Sequence, residues 1–203
     1  MNQDAEIAHL IDLMPASGRM YCKLQSRSEQ PQVIAADLPL PWSKSRPIRI
    51  NFDLWADLTR PQRDLLLLRT VCWLNTARWL KFDLSRGVLA AGLVGSLVEL
   101  VQGDVVGVVT GTSLMGWAGW RIWQDSRSSQ QEMQADEAAV SFAQQRGYGE
   151  QDAARHLLGA IEAVAKIENR FGLDFVELLR CQNLRAIAGL SSVNIPPDFR
   201  NLR

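Results

Sequence analysis

Residues able to do chemistry are few and scattered along these 203 residues. The histidines are His9 and His156, near opposite ends, and the cysteines are Cys22, Cys72 and Cys181. A hydrolytic zinc helix needs two imidazoles one helical turn apart, with a glutamate base beside the first. Two histidines so far apart in sequence cannot supply that pair from any single helix. Glu132 and Asp136 stand four residues apart, a spacing that usually marks a solvated helix face. Cys72 lies between Val71 and Trp73 with no basic neighbour in sequence, and apolar burial raises a thiol pKa, so a core cysteine is expected. His156 follows Arg155 in an amphipathic stretch and reads as a surface or boundary residue. No G-x-x-x-x-G-K-S/T, G-x-G-x-x-G or G-x-S-x-G motif occurs. The repeat Gly103, Gly107, Gly111 is too apolar in context for a phosphate loop, which needs a preceding strand and a polar turn. The expectation is a protein with no catalytic residues, no cofactor and no metal.

Composition narrows the field further. Apolar residues make up 47% and charged residues 22%, which suits a folded chain. Lys+Arg and Asp+Glu both number 22, so net charge is zero, and a nucleic-acid partner bound through a basic face is not expected. An odd, widely spaced set of cysteines argues against a disulfide framework and for a reducing compartment. The opening MNQDAEIAHLIDLM carries acids and lacks a long apolar core, so it does not read as a secretory signal.

The elements that must hold these residues follow from periodicity, and the chain reads as one domain over 1–203. Residues 4–14 place Ile7, Leu10, Ile11 and Met14 at helical spacing, with Pro15 as the stop. Across 19–52, extended pieces at 19–24, 32–35 and 47–52 predict a small antiparallel sheet, with a Pro/Ser-rich loop over 38–47. Thr59, Pro61 and Gln62 carry a capping-box pattern that opens a helix over 59–81, apolar at Leu65–Leu68, Val71, Cys72 and Leu74. Residues 129–190 hold three further helices, over about 129–146, 150–168 and 174–188, with a Gly-Tyr-Gly break at 147–149. Arg180 and Arg185 are placed where cations suit a helix C-terminus. The expected class is mainly α with a small N-terminal sheet, α+β.

Residues 87–120 are the most unusual part, with Glu99 and Asp104 their only charges. Gln102-Gly103-Asp104 splits the run into a hydrophobic helical hairpin. Each half is short for a bilayer, where roughly 20 apolar residues are needed. The flanks lengthen them: Trp73 and Trp79 precede the run, and Trp117, Trp120 and Trp123 close it, as interface anchors do. Arg78, Lys81 and Arg86 on one side and Arg121 and Arg127 on the other place both ends in the cytoplasm under the positive-inside rule. Ala91 with Gly95, and Gly103, Gly107 and Gly111, are small residues at every fourth position, a spacing that lets helices pack closely in lipid. The other reading is a buried core hairpin or a homo-oligomer contact, which Glu99 favours because an acid in lipid is costly.

The segment LTRPQRDLLLLRTVCWL, from Leu58 to Leu74, resembles the active-site helix of gluzincin membrane metalloproteases, the heat-shock membrane protease and CAAX prenyl protease group. Glu132-Met133-Gln134-Ala135-Asp136 is similar to that group's second motif, E-x-x-A-D, whose glutamate is the third zinc ligand. The order of elements over roughly 45–168 matches as well. The resemblance implies a degenerate gluzincin-like core, because the positions of the two histidines and the glutamate base hold Arg69, Thr70 and Trp73. Arginine is a permanent cation and an indole is no ligand. With its metal partners gone, Glu132 is expected to pair with Arg69; otherwise Arg69 snorkels at a helix edge. Phrases over the whole chain, including Leu13–Met20, Pro61–Trp73, Val98–Asp104 and CQNLRAIAG from Cys181, also resemble an uncharacterised family known from cyanobacteria. That resemblance implies a thylakoid or plasma membrane. The reading is a non-catalytic, pseudoprotease-like membrane protein that binds an unknown protein partner and the lipid membrane from the cytoplasmic side; the alternative is a soluble, cytoplasmic interaction module.

Overall fold

Leu65, Leu66, Leu67 and Leu68 point in nearly every direction around a helix, so the helix that carries them has to be surrounded. In the computed structural model it is. The structure describes residues 2–37, 45–76 and 129–190. In chain order these form α1 (Gln3–Leu13), α2 (Ala16–Tyr21), β1 (Cys22–Ser26), β2 (Ile34–Ala36), β3 (Arg46–Ile50), α3 (Phe52–Trp55), α4 (Arg60–Thr76), α5 (Ser129–Gln144), α6 (Glu150–Ile167) and α7 (Phe175–Ile187). The run 87–120, with its small residues and with Trp79, Trp117, Trp120 and Trp123 around it, lies outside the described residues, as does the end of the 59–81 helix. Among the described residues no helix is long and apolar enough to cross a membrane.

The described segments before and after the undescribed stretch share one compact unit, and α4 is its hub, touching α1, α2, α5 and α6. Leu65, Leu67, Leu68, Val71 and Leu74 are fully buried. At the start of α4 the Thr59 N–H donates to Gln62 Oε1 at 2.9 Å, the back-reaching half of the expected capping box. α5 runs antiparallel along α4: Arg69 faces its first turns, while Tyr148, just past its end, reaches back to Asp64. Gly147, at φ +93°, makes the turn out of α5, a left-handed conformation that a side chain resists. α6 and α7 form an antiparallel pair, tied by Arg185 to Glu162 and by Arg155 to the Ala188 carbonyl.

The sheet differs from expectation. It has three strands in the order β1-β3-β2, with β1 parallel and β2 antiparallel to β3, so it is mixed where an antiparallel sheet was expected. Ile48 and Ile50 are both fully buried, so β3 takes the centre; β1 and β2, which run in opposite directions, flank it, and one of them must then lie parallel to it. Residues 19–21, expected as extended, are helical in α2. There the Gly18 backbone lies so close to α4 that an added Cβ would sit 2.7 Å from Val71 Cγ1. Docking against α4 overrides the local pattern. On α1, Leu10, Leu13 and Met14 are buried, but Ile11 is 45% exposed.

Candidate functional site

Arg69 leaves α4 on the side that faces α5, where Glu132 and Asp136 stand one turn apart on one stripe. The Arg69 guanidinium pairs with Glu132, the contact expected from the sequence, and its Nε lies 3.5 Å from Asp136 Oδ1. Asp136 in turn holds Arg180 of α7 in a two-pronged grip, Nε to Oδ2 at 2.8 Å and Nη2 to Oδ1 at 2.9 Å. Asp136 is wholly buried and Glu132 is 15% exposed, so the solvated-face reading of this acid pair does not hold. Arg180 is likewise not a cation trailing a helix end. It lies mid-helix, is 7% exposed, and its charge is spent on Asp136 rather than on the α7 dipole.

Two guanidinium groups and two carboxylates leave this cluster electrically neutral, the condition under which buried charge is tolerated. Burial, then repulsion from Arg180, lowers the Arg69 pKa to about 9 against the pull of Asp136. At neutral pH the group is still a cation. Burial also disfavours the Arg180 charge, but attraction to Asp136 and Glu177 outweighs it, and its pKa is raised. The charge chain continues outward. Arg170 bonds Glu177 at 2.8 Å and lies 3.1 Å from Glu168, whose other oxygen accepts from the Val33 N–H at 2.9 Å.

Thr70 and Trp73 do not join the cluster chemistry. The buried Thr70 hydroxyl donates to the Leu66 carbonyl at 2.8 Å, a bond inside its own helix. Trp73, proposed from sequence both as a motif position and as an interface anchor, is half-buried against the core. Cys72 is buried, and burial pushes its thiol up to about 12, outweighing the opposite pull of Arg69. A thiol held protonated is a poor nucleophile. Chemically, the cluster offers neither a free base nor a ligand set, because Asp136 accepts from Arg180 and Glu132 is ion-paired with Arg69. Among the described residues no group of three or more His, Cys, Asp or Glu side chains is placed to hold a metal ion.

Sequence reasoning missed a second constellation. Although 147 positions apart, both histidines come to the same place, through Asp64 and Tyr148. His9 Nε2 is 2.9 Å from Asp64 Oδ1, Tyr148 donates its hydroxyl to Asp64 Oδ2 at 2.7 Å, and Arg60 approaches His9 Nδ1 at 3.4 Å. His156 packs edge-on against Tyr148, with centroids 6.3 Å apart. An imidazole, that of His9, therefore stands beside the N-terminal half of α4. Burial and the Asp64 hydrogen bond raise the Tyr148 pKa to about 12, which keeps the phenol a donor. The cluster ties α1 and the α5–α6 turn to α4. Nothing local in the sequence announces it, because its bonds span 55 and 84 positions.

Comparison with known proteins adds three findings. The family model described as "Protein of unknown function (DUF3318)" matches residues 8–148, more than half of the chain and a span that includes Arg69, Glu132, Asp136, Asp64 and Tyr148. A curated protein named thylakoid membrane protein slr1949, of Synechocystis sp., is 28% identical over 104 residues, covering 50% of this chain and 49% of the relative. The chain thus spans about half the length of the curated relative it matches. No solved structure matches the chain.

Proposed function

Taking as premise that the chain belongs to the DUF3318 family of proteins of unknown function, we propose that it is a non-catalytic, membrane-associated factor that works by binding another protein. The observation that carries this reading is the Arg69 guanidinium lying against both acids of the second motif. In the metalloproteases that the two motifs resemble, the corresponding helices face each other across a zinc ion. Here an arginine stands at the first position and neutralises the residues opposite, so the pseudoprotease-like reading accounts for both the motif order and the charge balance. The similarity to a thylakoid membrane protein supports membrane association for the family. Attachment is assigned to the 87–120 hairpin, with the compact unit on the cytoplasmic side.

Washing membranes that contain the full chain with high salt and then with carbonate tests the attachment. Retention in the pellet through both washes is the expected result. Quantitative release into the supernatant favours the soluble interaction module, with the hairpin as a core or self-association element.

A further inference from the structure

We infer that the groove between α5 and α7 docks a basic, amphipathic segment of a protein partner; this rests on the protein-binding reading above and gives the partner its chemistry. The groove has a volume of about 530 Å³, room for long side chains from a segment laid across it. Its floor is apolar and amide: Val140 and Asn183 are buried, and Ala186 and Ile187 are half-buried. Its rim carries the exposed carboxylates Glu137 and Glu150, and no Lys or Arg among the described residues lines it.

The acids are distinctive by comparison with their neighbours. Glu132, Asp136, Glu162, Glu168 and Glu177 all pair with arginines. Glu137 and Glu150 form no salt bridge among the described residues, and Glu137 accepts from Asn183 in a 3.2 Å hydrogen bond. Two unneutralised carboxylates over a partly apolar floor complement a lysine or arginine with an aliphatic stem. The same helix then extends the surface. Phe175 and Leu178 are 67% and 55% exposed, and positions 175, 178, 182 and 186 follow one another along one face of α7. Phe175 and Leu178 thus add an apolar patch on the face of α7 that leads to Ala186, with Gln182 between patch and groove, and together they match a helix with one apolar and one basic face. Anionic lipid headgroups fit this rim poorly, because they would meet its acids.

The probe is a fluorescent Ala- and Lys-rich helical peptide, with its Glu-for-Lys counterpart as control. It is titrated by anisotropy onto the full chain in non-ionic detergent, with protein-free micelles as blank. Saturable binding of the Lys peptide is expected, weakening as salt rises. The double variant Glu137→Gln, Glu150→Gln should weaken it roughly fivefold or more. Phe175→Ser should weaken it as well, and Glu29→Gln, on the β1–β2 connection, should leave it unchanged. Equal affinity of the double variant, insensitivity to salt, or equal binding of the Glu peptide overturns the assignment. All four positions are exposed, and an unchanged circular dichroism spectrum shows that the variants are folded. Salt or carbonate release from membranes defeats the anchoring reading without touching this assay, so the two fail separately.

Discussion

Arg69 is a cation whose surroundings were built around it. It is 17% exposed and set between two acids, one of which is shared with Arg180. Arg69→Met leaves Glu132 without a cation and Asp136 with one, and removing one partner of a buried pair costs about 3–5 kcal/mol. Chemical denaturation of the full chain should show that loss, while Arg69→Met combined with Glu132→Gln should lose less than Arg69→Met alone. A cost below about 1 kcal/mol for Arg69→Met would mean an exposed, dispensable pair. Cys72 sets a pH limit. Its folded pKa is raised from 9.0 to about 12, so the folded state holds the proton more tightly than the unfolded state does. That contribution is complete below pH 9.0 and is lost as pH climbs towards 12. Arg69, whose pKa is lowered to about 9, acts in the opposite sense over the same range. The Cys72 contribution is therefore read as the difference between the wild type and Cys72→Ala, which should shrink across that window; a thiol reagent at pH 8 should find Cys72 only after unfolding. The Arg69–Glu132 contact was expected from setting the two segments that carry these opposite charges against each other. The role of Arg180 was not, since its partner lies 44 positions away and no motif joins them.

Helices were more legible than their neighbours. The boundaries of α6 and α7 fall within a residue or two of the sequence reading, since the Gly-Tyr-Gly break precedes α6 and α7 carries a clear cap. Asp174 and Glu177 form a reciprocal capping box at the start of α7, and Gly189 at φ +69° closes it. Asp174→Ala should cost about 1 kcal/mol through loss of that cap, read as a lower thermal midpoint. The sheet order and α2 were not legible. Alternation in PIRINF identifies a half-buried strand but not its neighbours, and α2 is held by α4 rather than by its own propensity. Gly18→Ala tests that dependence. With Val71 Cγ1 at 2.7 Å from the added Cβ, overpacking should cost about 1–3 kcal/mol, whereas Gly172→Ala meets nothing within 4 Å and should be close to neutral in packing. Comparable losses at the two positions would show that α2 is not docked as described.

For the molecule as a whole, an apolar hub helix and two polar clusters join segments distant in sequence. The Arg69 cluster unites α4, α5 and α7; the Asp64 cluster unites α1, α4 and the α5–α6 turn. Both use titratable side chains as ties that engage one another across the fold. The function proposed at this scale rests on surfaces: the 87–120 segment for attachment and the acid-rimmed groove for a partner. The first is an expectation from composition alone, whereas the second needs α5 and α7 brought side by side. The most direct test is to load the purified full chain with zinc, dialyse it, and measure bound metal together with peptide cleavage. Less than one tightly held zinc per chain and no cleavage dependent on Glu132 is the predicted result. One stoichiometric zinc, with cleavage abolished by Glu132→Gln, would contradict the central claim that an arginine has taken over the acids of this site.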